Sequence, residues 1–143
     1  MTEPKYKVYL VDDDQDDLEI LSAAFVEAGC TRQLQCFTSA PDLLHWFTAY
    51  PNDTLPDIII LDHQMPRMDG MDVVRELRSS KRFNSIALAI CSTVLENSRI
   101  HNLLLNGADC YIEKGSNYYE IKEHVALFCE AIVKKQLEEN EYR

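Results

Sequence analysis

The chain has 143 residues, of which 46% are hydrophobic and 27% are charged. This is enough apolar sequence for one domain with a buried core, and too much for a disordered tail. The formal net charge of −10 argues against binding to nucleic acids or anionic membranes, because both would repel the chain. No apolar run approaches the roughly 20 residues of a membrane span, and the first residues lack the apolar segment of a signal peptide. We therefore expect a cytoplasmic protein.

Short apolar segments alternate with longer amphipathic stretches along the chain. The predicted strands are residues 7–11, 34–37, 57–61, 86–91 and 110–112. The third and fourth are almost continuously apolar, which is typical of strands that are covered on both faces. Helical spacing is found between the strands and after the last one, in the groups Leu18, Leu21, Phe25; Leu43, Leu44, Phe47; Val73, Val74, Leu77; Ile100, Leu103, Leu104; and Ile121, Val125, Phe128, Ile132. Gly29 is predicted to end the first helix and Gly107 the fourth.

Five strands that alternate with five helices require crossover connections, and hence a parallel sheet with helices on both faces. We predict an α/β, flavodoxin-like (βα)5 fold with strand order 2-1-3-4-5. The whole chain, residues 1–143, is expected to be one domain with a core at about 5–133. The charged segment 134–143 is expected to extend the last helix or to form a tail.

Acidic residues follow the first and third predicted strands. Asp12 and Asp13 come directly after strand 1, and Asp62 follows strand 3. The predicted order makes these strands neighbours, so the three carboxylates should converge at one edge of the sheet. Two such charges about 4 Å apart repel by roughly 4 kcal/mol at an effective dielectric near 20. A hard divalent cation relieves this repulsion, and Mg²⁺ is the natural choice because it accepts few carboxylates and keeps several waters.

Further acidic residues after strand 1 have a simpler interpretation. One of Asp14, Asp16 and Asp17 is expected to cap the first helix, and the others to favour its positive N-terminal end. The five cysteines also have a simple interpretation, because their number is odd and no Cys-x-x-Cys pair is present. We expect free, mostly buried thiols rather than disulfides or a zinc site.

The two remaining strand ends in the second half of the chain carry complementary groups. Ser92 and Thr93 follow strand 4, and their hydroxyls are able to bond an oxyanion. Lys114 follows strand 5 and can place an ammonium over the same crevice. Together with the carboxylates, this set can hold a metal ion and neutralise a phosphoryl group on one of the carboxylates.

These residues resemble the receiver domain of two-component response regulators, over essentially the whole chain. The matching motifs, in order, are Val11-Asp12-Asp13; Leu61-Asp62; Met65-Pro66-x-Met68-Asp69-Gly70; Ser92-Thr93; and Tyr111-x-x-Lys114. The separations from Asp62 to Ser92 and from Ser92 to Lys114 are also similar to those of the family. Five motifs in order at these spacings make the resemblance specific.

The resemblance implies roles for the acidic residues. Asp62 would be the phosphoacceptor that attacks the phosphohistidine of a sensor or hybrid histidine kinase. Mg²⁺ would be held by Asp13 and Asp62 directly, by Asp12 mainly through water, and by the backbone carbonyl of Gln64. Gly70 would serve the turn before the third helix, where a residue without Cβ is needed.

The resemblance also implies how the signal is passed on. Ser92 and Lys114 would bind oxygens of the phosphoryl group, and Tyr111 would turn inward as the switch aromatic. The output would be a changed surface on helix 4, strand 5 and helix 5. A phosphotransfer or downstream target protein would bind this surface, or the chain would form a homodimer through it. The chain would then be a signalling domain without a DNA-binding effector, catalysing only its own phosphotransfer and slow autodephosphorylation.

Two positions depart from the usual pattern of the family. Receivers commonly have proline after the site lysine, whereas here Lys114 is followed by Gly115, which suggests a freer loop without a cis peptide. This stretch looks like that of single-domain receivers that partner bacterial phytochromes and related hybrid kinases. The second departure is the apolar Val94, two residues beyond Ser92. It cannot position a hydrolytic water, so the phosphoryl group should be lost slowly.

Two other functions remain open from the residues alone. A phosphohydrolase of the haloacid dehalogenase type would use Asp12 as its nucleophile in the Asp12-x-Asp14 pattern, although Asp16 stands where such enzymes have threonine or valine. A degenerate receiver would bind partners without being phosphorylated. His63, beside Asp62, is expected to have a structural or solvated role rather than to act as a base.

Overall fold

Five strands form one parallel sheet in the computed structural model, which describes residues 4–141. The strands are β1 (Tyr6–Val11), β2 (Thr31–Phe37), β3 (Ile58–Leu61), β4 (Ala87–Ser92) and β5 (Cys110–Glu113). The helices are α1 (Gln15–Ala28), α2 (Ala40–Ala49), α3 (Gly70–Arg78), α4 (Asn97–Leu105) and α5 (Tyr118–Glu141), and a short 3₁₀ helix spans Lys81–Phe83. The strand order is β2-β1-β3-β4-β5. The predicted flavodoxin-like fold is thus confirmed.

The centre of the sheet is covered on both faces, as the apolar runs predicted. Every residue of β3 and β4 is buried. One side packs against α2, α3 and α4, and includes an edge-to-face pair of Tyr9 and Phe37 with ring centroids 5.3 Å apart. The other side packs against α1 and α5, where the rings of Phe25 and Phe128 stack at 6.1 Å. This two-sided core fixes the strands whose carboxyl ends carry the candidate site.

The first helix begins and ends as the sequence predicts. Asp14 caps its N-terminus and accepts hydrogen bonds from the backbone N–H of Asp16 and of Asp17. Gly29 follows the last turn with φ of +69°, a left-handed conformation that glycine adopts without steric cost. The cap fixes where the chain turns from the acidic end of β1 into α1.

Several boundaries differ from the prediction. β2 begins at Thr31 rather than Leu34, because pairing with β1 carries this edge strand through polar residues that have no apolar pattern. Ser92 is the last residue of β4 instead of following it. α4 ends at Leu105, and Gly107 follows its cap residue with φ of +119°, so the predicted glycine at the end of this helix is confirmed. Leu104, which has the helical spacing of the apolar group, has 41% of its surface exposed.

The cysteines and the C-terminal segment complete the comparison with the prediction. All five cysteines are free, but only Cys91 is buried, so the expectation of mostly buried thiols is wrong. Cys36 is exposed on the edge strand β2, and Cys30, Cys110 and Cys129 are partly buried against the core. Residues 134–141 continue α5, and residues 142–143 lie outside the described part of the chain. None of the helices within residues 4–141 combines the length and the hydrophobicity of a membrane span.

Candidate functional site

Three carboxylates meet at the carboxyl ends of β1 and β3. The register pairs Val11 with Leu61, so the residues that follow them leave the sheet side by side. The backbone N–H of Asp62 donates to the carbonyl of Val11 at 2.9 Å and holds the two chain segments together. Carboxylate oxygens of Asp12, Asp13 and Asp62 all lie within 4.8 Å of one another. The predicted convergence of these side chains is therefore present.

The three carboxylates differ in their exposure. Asp12 and Asp62 are buried, whereas Asp13 is exposed to solvent. Burial raises the pKa of Asp12 to about 6, and the nearby charge of Asp62 adds to the effect. The backbone N–H of Asp14, which donates to Asp12 Oδ1 at 2.9 Å, and the ammonium of Lys114 oppose this rise. Converging oxygen donors with excess negative charge fit the ligand preference of Mg²⁺.

Lys114 supplies the positive charge that the cluster requires. It follows β5, and its backbone N–H donates to the carbonyl of Ser92 at 2.8 Å. Its Nζ lies 2.9 Å from Asp12 Oδ2 and 3.4 Å from Asp62 Oδ2. Burial alone would lower the pKa of Lys114, but hydrogen bonds to Asp17 and Asp12 outweigh burial and raise it above its ordinary value. The lysine is thus held as an ammonium among the carboxylates.

Asp17 is a site residue that the sequence analysis assigned only to the helix terminus. Its Oδ2 lies 2.8 Å from Lys114 Nζ, the shortest of the contacts that this ammonium makes with carboxylates. Asp17 lies in the first turn of α1, and its carboxylate reaches the lysine that follows β5. The spacing of the acidic residues does not show this, since 97 residues separate Asp17 from Lys114.

Ser92 ends β4 with its side chain fully buried. Among the described residues, its Oγ has no hydrogen-bond partner. A buried hydroxyl without a partner is unfavourable and is seldom found without a reason. The orphaned hydroxyl fits a group that gains its partner only when an oxyanion arrives nearby.

Tyr111 and Gln64 lie at the margin of the cluster. Tyr111 is half-buried on β5, and its hydroxyl donates to the carbonyl of Thr93 at 2.9 Å, which ties β5 to the loop after β4. Val94 in this loop is 73% exposed. The backbone N–H of Gln64 donates to Asp62 Oδ1 at 3.3 Å, so this residue adjoins the predicted phosphoacceptor.

The loop after Lys114 contacts the start of α5. A Cβ on Gly115 would lie 2.9 Å from Ile121 Cγ1, so a larger residue would require Ile121 to shift. Ser116 donates to Glu120 Oε2 from both its N–H, at 2.7 Å, and its hydroxyl, at 3.1 Å. The peptide between Lys114 and Gly115 is not cis, as expected, and none of the described residues has a cis peptide. The greater freedom of this loop stays a prediction.

His63 is buried against the start of α3. A Cβ on Gly70 would lie 3.0 Å from His63 Cα, and the N–H of Gly70 donates to the carbonyl of His63 at 3.0 Å. Gly70 is the first residue of α3, so the need for glycine comes from this close approach of two backbones. Nothing in the described chain accepts from or donates to His63 Nδ1.

A doubly wound parallel sheet with carboxylates and a lysine at its switch point is the architecture of receiver domains in two-component signalling. The chain belongs to the response regulator receiver domain family, whose model matches residues 8–126.

Relatives place the same domain in proteins of different size. The chain is 21% identical to the probable methanogenesis regulatory protein FilR2 of Methanothrix harundinacea, over 86% of this chain and 81% of that one. It is 34% identical to the hybrid signal transduction histidine kinase L of Dictyostelium discoideum, over 85% of this chain but only 7% of the kinase. The receiver domain is therefore shared with proteins of which it forms a small part.

Solved structures show the same fold. The phosphorylated cyanobacterial phytochrome response regulator RcpA superposes with a TM-score of 0.76 at 23% identity, covering 85% of this chain and 89% of its own. The Mn²⁺-bound response regulator Rcp1 superposes with a TM-score of 0.73 at 20% identity, covering 83% and 88%.

Proposed function

We propose that the chain accepts a phosphoryl group on Asp62 from the phosphohistidine of a sensor or hybrid histidine kinase. A carboxylate oxygen of Asp62 forms the new P–O bond, the P–N bond breaks, and the imidazole that leaves takes up a proton. The observation that carries the proposal is the convergence of three carboxylates, with the ammonium of Lys114 beside the two that are buried. Membership of the receiver family supports the choice of Asp62 as the nucleophile.

The residues present fit a magnesium ion. Asp13 and Asp62 would bind it directly, Asp12 mainly through water, and the backbone carbonyl of Gln64 would complete the protein ligands. When bound, Mg²⁺ offsets the negative charge that the carboxylates and the incoming phosphoryl group bring together.

Ser92 and Lys114 would hold the phosphoryl group. Phosphorylation adds nearly two negative charges to a cluster that is already acidic. The buried hydroxyl of Ser92 is available to donate to a phosphoryl oxygen, because it has no partner within the described chain. Lys114 would pair with a second oxygen, and its ammonium already lies 3.4 Å from Asp62.

Tyr111 would couple the site to a surface. Its hydroxyl holds the carbonyl of Thr93, next to Ser92. A pull on Ser92 would release this bond, let the ring turn inward, and change the surface formed by α4, β5 and α5. A phosphotransfer or downstream target protein would read that surface, or a second copy of the chain would bind there.

The setting of the protein follows from the same proposal. Receiver domains are signalling domains, so catalysis here would be confined to phosphotransfer and slow autodephosphorylation. The stretch from Cys110 to Gly115 favours a partner among bacterial phytochromes and related hybrid kinases. Free thiols at all five cysteines favour the reducing cytoplasm.

Intact-mass spectrometry after incubation with acetyl phosphate tests the proposal. We expect one phosphoryl increment that requires Mg²⁺ and is absent from the Asp62→Asn variant. An increment that survives in this variant and disappears in Asp12→Asn would instead indicate the hydrolase chemistry. Wild-type protein that stays unmodified with acetyl phosphate and with a panel of histidine kinases would contradict phosphorylation and favour a degenerate receiver.

A further inference from the structure

The ammonium of Lys114 is shared among three carboxylates, and the one that it approaches most closely is outside the predicted site. Nζ lies 2.8 Å from Asp17, 2.9 Å from Asp12 and 3.4 Å from Asp62. An ammonium has three N–H donors. Before any phosphoryl group arrives, three carboxylates thus already lie within 3.4 Å of Lys114 Nζ.

Asp17 is well placed to influence this ammonium. It lies in the first turn of α1, and 39% of its side-chain surface is exposed. Water therefore screens its ion pair with Lys114 only in part. Its own backbone N–H donates to the capping carboxylate of Asp14 at 3.3 Å. The position of Asp17 is therefore fixed by the start of the helix rather than by Lys114.

We propose that Asp17 is a positioning residue that holds Lys114 on the α1 side of the site and competes with a phosphoryl group on Asp62 for its ammonium. This inference rests on the proposed function, in which Lys114 pairs with a phosphoryl oxygen. Moving the ammonium toward Asp62 lengthens its contact with Asp17. Phosphorylation is thereby opposed by the loss of one ion pair, and the first turn of α1 senses the state of the site.

Removing the carboxylate of Asp17 should favour the phosphorylated form. In an Asp17→Asn variant, Lys114 has no competing partner on α1, so we expect a several-fold higher phosphorylated fraction at limiting acetyl phosphate with Mg²⁺. Asp16→Asn is the matched control, because it removes the same charge from the same turn. Asp16 is exposed, and in residues 4–141 its carboxylate makes no ion pair. Asp17→Glu keeps the charge and should restore the wild-type level.

A second readout tests the contact without phosphorylation. Brief labelling of the unphosphorylated, metal-free protein with acetic anhydride, followed by peptide mass spectrometry, gives the modification rate of Lys114 relative to the exposed Lys81. We expect a several-fold faster rate for Lys114 in Asp17→Asn, and rates like wild type in Asp16→Asn and Asp17→Glu.

The two readouts separate the inference from the proposed function. Faster labelling together with a higher phosphorylated fraction supports the competition. Unchanged labelling in Asp17→Asn overturns it, as does a phosphorylated fraction no higher than in Asp16→Asn. If wild-type protein is never phosphorylated, the proposed function and the competition both fail, while the labelling still shows whether Asp17 holds Lys114.

Discussion

The two ends of the sheet differ in how their buried charges are paired. At the amino end, which we call the paired end, the fully buried Lys7 donates to Asp53 and to the carbonyl and hydroxyl of Thr54. In the same region, Arg78 donates to Asp109 and to three backbone carbonyls. At the carboxyl end, which we call the acidic end, the carboxylates near Lys114 outnumber its single positive charge. The amino end is built for stability, while the carboxyl end leaves a charge imbalance that a cation and a phosphoryl group can use.

We expect the largest loss of stability from a substitution at the paired end that removes a buried donor. Replacing Arg78 by methionine leaves the carbonyls of Phe83, Ile86 and Gly107 without this donor and weakens the pairing of Asp109. We expect a loss of about 3–5 kcal/mol in the free energy of unfolding, measured by urea titration. Arg75→Met is the control, because Arg75 is exposed on the same helix and should cost at most about 0.5 kcal/mol. Equal losses in the two variants would contradict the assigned role of Arg78.

At the carboxyl end of the sheet, we expect the buried charge of Asp12 to lower the stability of the metal-free protein. Burial raises the pKa of Asp12 to about 6 in the folded protein, so the folded state binds this proton more tightly than the unfolded chain does. Without metal, wild type should lose stability relative to Asp12→Asn as the pH rises from about 4 to about 6, by on the order of 2 kcal/mol. Urea titrations of both proteins in EDTA across this range measure the difference. A gap that stays constant with pH would show that Asp12 is not destabilised by its charge.

We expect the smallest effect on the lifetime of the phosphoryl group at the acidic end. The side chain of Val94 is exposed and apolar, so it can neither orient nor activate a water molecule. We expect Val94→Glu and Val94→Asn to shorten the lifetime of the phosphorylated protein several-fold, and Val94→Ala to leave it unchanged. The decay is followed by intact-mass spectrometry after acetyl phosphate has been removed. Polar variants that decay no faster than wild type would contradict this explanation.

The same contrast explains what could be predicted from the sequence. The strand order and the convergence of Asp12, Asp13 and Asp62 could be predicted, because apolar runs mark the strands and parallel strands share a carboxyl edge. The pairing of Lys114 with Asp17 could not, because it depends on the tertiary placement of the first turn of α1 beside the residue that follows β5.

The hydrogen bonds of Arg78 at the amino end of the sheet could not be predicted from the sequence either. Arg78 lies in a helix with an ordinary amphipathic pattern, and its partner Asp109 is 31 residues away. Similarly, the polar start of β2 has no apolar alternation and becomes a strand only through pairing with β1. Contacts that depend on tertiary packing leave no periodic signal in the sequence.

The free energy of unfolding of Asp62→Asn, measured with and without Mg²⁺ at pH 7, tests the charge imbalance most directly. In EDTA the variant should be more stable than wild type by about 1 kcal/mol, because one repelling carboxylate is gone. Saturating Mg²⁺ should cancel or reverse this advantage, since the cation stabilises the intact site. Asp57→Asn is the control at the paired end, where Asp57 accepts from the N–H of Lys7 at 2.8 Å, and it should lose stability regardless of Mg²⁺. An Asp62→Asn variant that is less stable than wild type in EDTA would contradict the account.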